Sequence, residues 1–409
     1  MALYAMLPSP MTGHVNPTLP IAGELVRRGH EVVYDLPSDY REAVRSVGAR
    51  LRPITLAEPD GYKSEPDPVA RFARVPLWLA GEAEHVLPQV CERIGAAPPD
   101  VLVYDMTCVW GRVLARAHRP PAAMIVGSYV GNEHFSPMRT EHYAAMRDVL
   151  DAGFAGIAQV IDRLNTAYGV RLSPRELFAR DERLVLVVMP REFHPAGATF
   201  NGPFRFIGSA VPAEATAGRS LAAPSSPRRP KTVYLSPGTV VDLWPDMVDT
   251  VRRAFGDGAW RVMMSLGGRR PPAGLPDWMH AAPSLPQLRV LAGADAFVTH
   301  GGTNSVTESL HFGVPMVVMA SAPEHAITAD RVEELGLGVR IRPGEADAER
   351  LRAAVEAVSS RHDIRSALDT MRERTRGAGG PAAAADALER LLEEDASATC
   401  AERAVGDGR

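Results

Sequence analysis

Residues 296–319, "AFVTHGGTNSVTESLHFGVPMVVM", decide the fold. The apolar run Ala296 to Thr299 reads as a strand, Thr303 to Phe312 as a helix, Gly313 as its stop and Met316 to Met319 as the next strand. A strand, a tight turn, a helix and a second apolar strand make one βαβ unit, and such units build parallel sheets covered by helices. His300, Gly301 and Gly302 form the turn. First-turn amides of a helix lack internal partners and carry the positive end of its dipole, so this turn suits an anion, which glycine lets the backbone approach closely. The same pattern also serves an ordinary strand-to-helix turn capped by Thr or Asn.

The alternation extends in both directions. Upstream, Leu3 to Leu7, Glu31 to Tyr34, Val101 to Tyr104 and Ala122 to Val126 read as strands. Leu19 to Arg28 and Asp39 to Val47 read as helices closed by Gly29 and Gly48. Glu58 to Pro76, rich in proline and charge, predicts a long loop, and Tyr129 to Asp162 predicts helices around a pocket. The stretch "VPAEATAGRSLAAPSSPRRP" (211–230) has no periodicity and reads as a linker. After it come strands Thr232 to Ser236 and Trp260 to Ser265, helices Met247 to Phe255 and Leu288 to Ala292, and a last helix Ala382 to Leu392. The expected architecture is α/β, two doubly wound parallel-sheet domains facing a cleft: residues 1–212, a linker 213–230, residues 231–380, a C-terminal helix 381–394 and a frayed tail 395–409.

Composition bounds the function. A chain of 409 residues exceeds one typical core, so two domains are expected. With 45% hydrophobic residues, 23% charged and a net charge of -4, it reads as a soluble globular protein with no nucleic-acid partner. Cys91, Cys108 and Cys400 form no metal spacing and suit a reducing compartment. No basic leader opens the chain and no apolar run approaches the roughly 18 residues of a membrane span, so a cytoplasmic location without membrane contact is expected. Oligomeric state is not encoded in any of these features.

A second turn, Thr12-Gly13-His14-Val15-Asn16-Pro17, also follows a strand and precedes a helix. His14 there suits a general base, since histidine titrates near neutrality, although many turn histidines are merely hydrogen-bonded. Asp105 ends the strand from Val101. A carboxylate on the far imidazole nitrogen would fix the tautomer and stabilise the imidazolium, yet Asp105 equally suits a helix N-cap. Ser236-Pro237-Gly238-Thr239 leaves another strand through glycine, offering amides and the Thr239 hydroxyl to a phosphate. Gln287 after Pro286 offers donor and acceptor to a base edge. Glu308, roughly two helical turns beyond His300, has the reach for a ribose diol, or is a solvated helix residue. No H-E-x-x-H, cysteine set or paired-Asp motif is present, and Lys63 and Lys231 are the only lysines, both remote from these turns. A bound diphosphate would therefore rest on helix termini and His300. Neither a G-x-S-x-G elbow nor a P-loop occurs.

Together, "GHVNPTLPIAGELVRRGHEV" (13–32), "PDVLVYDMT" (99–107), "LSPGTVVD" (235–242) and "LPQLRVLAGADAFVTHGGTNSVTESLHFGVPMVVM" (285–319) resemble family 1 glycosyltransferases of the GT-B fold, two Rossmann-like domains, most closely the macrolide-type branch. The resemblance implies that His14 deprotonates an acceptor hydroxyl with Asp105 as its partner. It implies donor binding by Gly238, Thr239, Leu285, Gln287, His300, Gly301, Gly302, Asn304, Ser305 and Glu308. His300, Asn304 and Ser305 fall on the diphosphate, Gln287 on the base or ribose and Glu308 on the ribose. Glu324-His325 stands where the family usually has Asp-Gln or Glu-Gln on the sugar hydroxyls. Ser284 and Pro237 replace a common Trp and Leu. The implied reaction is an inverting, metal-independent transfer of a hexose from a UDP- or TDP-sugar to a hydroxyl of a hydrophobic natural product, a macrolide or aromatic polyketide, with no cofactor. A nucleotide-sugar epimerase and a non-catalytic nucleotide-sugar-binding protein are the alternatives. Trp78, Trp110, Tyr129, Phe135, His142 and Tyr143 supply aromatic surface for an acceptor, or core.

Overall fold

The computed structural model describes all residues except 59–60, 62–67, 138–139, 213–214, 216–229, 239–245, 321, 343 and 407–409. Seven strands form the first sheet: β1 (Leu3–Leu7), β2 (Glu31–Leu36), β3 (Arg50–Pro53), β4 (Val101–Asp105), β5 (Ala122–Val126), β6 (Leu184–Val187) and β7 (Phe204–Phe206), in the order β3-β2-β1-β4-β5-β6-β7. Six form the second: β8 (Lys231–Ser236), β9 (Trp260–Ser265), β10 (Met279–Ala282), β11 (Ala296–Thr299), β12 (Met316–Val318) and β13 (Gly338–Arg340), in the order β10-β9-β8-β11-β12-β13. Every ladder between them is parallel. Strands covered on both faces must be apolar throughout, and β4, β5 and β11 are buried at every position.

Among the described residues, thirteen α-helices accompany these sheets: α1 (Thr12–Val15), α2 (Thr18–Arg27), α3 (Arg41–Ser46), α4 (Pro68–Ala96), α5 (Val109–His118), α6 (Thr140–Tyr168), α7 (Met247–Phe255), α8 (Gln287–Leu291), α9 (Thr303–Phe312), α10 (Pro323–Glu334), α11 (Ala348–Ser360), α12 (His362–Gly377) and α13 (Gly380–Gly406). Strand order reverses between β1 and β4 and between β8 and β11. The loops after these four strands therefore open a crevice at each switch point, where doubly wound sheets place their ligands.

Three expectations are corrected. The predicted loop over Glu58 to Pro76 gives way from Pro68 to α4, which runs through Pro76 and Pro88. Burial of Leu79, Ala80, Ala83, Val86, Leu87 and Val90 along one face outweighs the lost amide bonds, because helices in proteins draw most of their stability from packing. The helices expected around Tyr129 to Asp162 are one, α6, laid against α4. The last helix does not close at Leu392 or 394 but continues to Gly406, since "EEDASATCAERAV" (393–405) contains neither glycine nor proline. Most of the expected linker 213–230 lies outside the described residues.

The C-terminal helix belongs physically to the first lobe. Ala384, Ala385, Ala387, Leu388 and Leu391 share a buried core with Tyr4, Met6, Ile21, Leu25 and Leu186. Arg28 bonds Asp386 and Glu389, and His30 bonds Glu389. The chain thus crosses from the second lobe back to the first and ties the two at its end.

Candidate active site

His14 sits in α1, just past β1, and Asp105 is the last residue of β4 on the far side of the first switch point. Parallel pairing of β1 with β4 sets both at one edge of the sheet. Nδ1 of His14 lies 2.9 Å from each oxygen of Asp105, and a carboxylate only accepts, so Nδ1 carries the proton and Nε2 is left to receive one. Asp105 is 2% exposed. Its oxygen Oδ1 also accepts from the Thr107 amide at 2.9 Å and the Thr107 hydroxyl at 2.6 Å, and the Ser9 hydroxyl lies 3.3 Å away. Burial raises the Asp105 carboxyl, but the His14 charge and these bonds outweigh it and hold the group below its ordinary range. Burial works against charge on His14, yet Asp105 and, more weakly, the carboxylate of Glu324 raise it above its ordinary value. The N-cap role open to Asp105 falls instead to Cys108, whose sulfur accepts from the Gly111 amide.

Across the cleft, Gly302 is the N-cap of α9 and offers no side chain to it, so the first amides of the helix keep their positive end open to a ligand. His300 is held by glycines on two strand-end loops. A Cβ at Gly238 would come 2.5 Å from its Cε1, and one at Gly302 2.5 Å from its Nε2. Gly238 and Gly301 also adopt φ of +83° and +93°, a region that disfavours other residues. Burial pushes the His300 imidazole down to about 4, with the Ser236 backbone opposing, and its Nδ1 is enclosed with no hydrogen-bond partner. That leaves the His300 imidazole neutral near pH 7 in this state. His325 packs edge-on to it at 4.6 Å, and burial with the neighbouring His300 lowers that imidazole to about 3.

Gln287, Ser305 and Glu308 form one cluster. Gln287 Nε2 donates to Glu308 at 2.7 Å and to Ser305 at 3.1 Å, while its oxygen accepts from Tyr234 at 3.2 Å. Glu308 is no solvated helix residue: removal from water lifts its carboxyl to about 7 against the lowering bond from Gln287. Leu285 donates its amide to the Ser265 hydroxyl at the end of β9. Thr239 lies outside the described residues.

The two lobes meet through Asn304 and Glu324 and through Thr303, Gly127 and Ser128, which the sequence did not single out. Asn304 Nδ2 donates to the carbonyl of Gly13, next to His14. Thr303 donates to the Gly127 carbonyl at 2.6 Å, and Ser128 to Glu324 at 2.8 Å. Glu324 opens α10 and faces the first lobe; burial raises its carboxyl, with Ser128, His14 and Thr303 opposing. Tyr129 bonds Thr328 at 3.1 Å and is core, as is Trp110, so neither lines an open acceptor surface. Phe135 packs on Tyr129 and His194, Trp78 donates to the Glu58 carbonyl, and the side chains of His142 and Tyr143 lie outside the described residues. Among the described residues, no set of three or more His, Cys, Asp or Glu is placed to hold a metal ion, and no helix is long and apolar enough to cross a membrane.

Two doubly wound parallel lobes, with functional loops at both switch points turned toward each other, define the GT-B class of fold. Residues 257–391 match the family described as erythromycin biosynthesis protein CIII-like, C-terminal domain. NDP-glycosyltransferase YjiC of Bacillus subtilis (strain 168) is 31% identical over 96% of this chain and 98% of its own, and demethyllactenocin mycarosyltransferase of Streptomyces fradiae is 33% identical over 96% and 87%. The calicheamicin glycosyltransferase CalG4 superposes with a TM-score of 0.81 at 29% identity, covering 96% of this chain and 98% of that one. The chain belongs to the family 1 glycosyltransferases of GT-B fold, in the macrolide-type branch. It is an enzyme of natural-product glycosyl transfer, and the epimerase and binding-only alternatives fall away.

Proposed function

We propose that this glycosyltransferase moves a hexose from a UDP- or TDP-sugar to a hydroxyl of a hydrophobic natural product, a macrolide or aromatic polyketide, with inversion and without a metal. The observation that carries the reading is the imidazole of His14, pinned by both oxygens of buried Asp105 and set beside Gly13, which the second residue of α9 grips from the other lobe. Nε2 takes the acceptor proton as the acceptor oxygen attacks the anomeric carbon, and the bond from that carbon to the diphosphate breaks on the opposite face. The developing imidazolium is stabilised by Asp105, and the developing diphosphate charge by the α9 amides and His300. Gln287 and Glu308 suit the nucleoside, and Glu324 and His325 suit the sugar hydroxyls. Holding both substrates between two lobes supplies the proximity contribution.

A matrix of UDP- and TDP-hexoses against macrolide and aromatic acceptors, run with and without EDTA, tests this. Mass spectrometry is expected to show acceptor plus one hexosyl unit in both conditions, and NMR an inverted anomeric centre. A retained anomer, or loss of product with EDTA, would contradict it.

A further inference from the structure

Asp105 is not held by His14 alone. We infer that Thr107, backed by Ser9, is a positioning residue for the transfer: a two-hydroxyl relay that fixes the Asp105 carboxylate and through it the orientation of His14. This rests on the reading of His14 as the base.

The donors and acceptors allow one consistent arrangement. Each hydroxyl has a single proton. Thr107 Oγ1 lies 2.6 Å from Asp105 Oδ1, so it donates there; Ser9 Oγ lies 2.7 Å from Thr107 Oγ1 but 3.3 Å from Asp105, so Ser9 donates to Thr107. Oδ1 then accepts from the Thr107 hydroxyl, the Thr107 amide and His14, whereas Oδ2 accepts from His14 alone. Ser9 is fully buried and stands on the β1 loop that leads into α1, while Thr107 stands on the β4 loop. The relay therefore joins the two loops of the first switch point directly beneath the imidazole. Bonds to a charged acceptor in a buried site are the strong ones, and a carboxylate with three fixed donors on one oxygen has no freedom to turn. Around this unit stand His14, Glu324 across the cleft, the guanidinium of Arg180 and the thiol of Cys108.

Removing the hydroxyl has a directional consequence. Oδ1 loses its shortest bond, more carboxylate charge falls on the imidazole, and His14 holds its proton more tightly. Thr107→Val is therefore expected to lower kcat about tenfold with the acceptor KM within about twofold, and to move the acid limb of the kcat/KM profile to higher pH. Thr107→Ser, which keeps hydroxyl and amide, restores both. Thermal melting of each variant reports folding, and His14→Ala serves as reference. An active His14→Ala would sink the base reading itself. An inactive His14→Ala beside a Thr107→Val with wild-type kcat and an unmoved profile would overturn the relay alone, as would a Thr107→Ser as impaired as Thr107→Val.

Discussion

Gly302→Ala isolates the contribution of His300. At φ -61° and ψ 133° the backbone of residue 302 accepts alanine, so the added methyl acts through sterics only. That methyl would stand 2.5 Å from His300 Nε2 and 3.0 Å from Cε1. Comfortable contact begins near ~3.5 Å, so the ring must retreat by about 1 Å. Gly238 and the His325 ring crowd the same imidazole, which leaves little room to retreat without disturbing the β8 loop. Overpacking of this kind costs about 1–3 kcal/mol, and a displacement of ~1 Å at a group that contacts a reactant costs on the order of a hundredfold. Titration calorimetry with the nucleoside diphosphate, and kcat/KM for the donor at saturating acceptor, are expected to fall about ten- to a hundredfold while the acceptor KM holds. A Gly302→Ala enzyme with wild-type donor affinity and turnover would refute the placement of His300 on the diphosphate.

Other perturbations follow from the same geometry. Asp105 raises His14 above its ordinary value, so kcat/KM in the wild type is expected to rise with pH through an inflection above about 6.5; Asp105→Asn should move that inflection to lower pH and cut kcat about a hundredfold or more, and an unmoved inflection would speak against the pair. Glu308 sits at about 7 because it is drawn out of water, so donor affinity is expected to strengthen between about pH 6 and 8 as the carboxylate forms, and Glu308→Gln should flatten that dependence in calorimetry. Leu388, 0% exposed, anchors α13 in the first-lobe core; Leu388→Ala is expected to cost about 2–5 kcal/mol, read from the denaturant midpoint, and no shift would deny that packing.

Much of the scaffold was legible because a parallel sheet writes its strands as apolar runs bounded by glycine. Ala296 to Thr299, Gly313 and Thr303 to Phe312 fall where periodicity placed them. What local pattern misread was set by packing. Proline at 76 looked like a loop because its local cost is plain, while the compensating burial against α6 comes from residues far along the chain. Asp105 looked as much like a cap as a partner of His14, since 91 positions separate the two and only the adjacency of β1 and β4 joins them. The neutrality of His300 and the lifted carboxyl of Glu308 were equally out of reach, because desolvation depends on surroundings and not on spacing. Ser128 and Gly127 carry no motif at all, and Gly13 acts through its carbonyl rather than the motif it opens; they meet the second lobe only once both have folded.

The central claim is that one imidazole performs the proton transfer while the opposite lobe holds the donor independently. His14→Ala measured twice, by turnover with acceptor and by calorimetric binding of the nucleotide sugar, addresses both halves at once. Turnover is expected to fall about 10²- to 10⁴-fold with donor affinity within about twofold of wild type. Turnover near the wild-type level, or a loss of donor binding as large as the loss of turnover, would contradict the account.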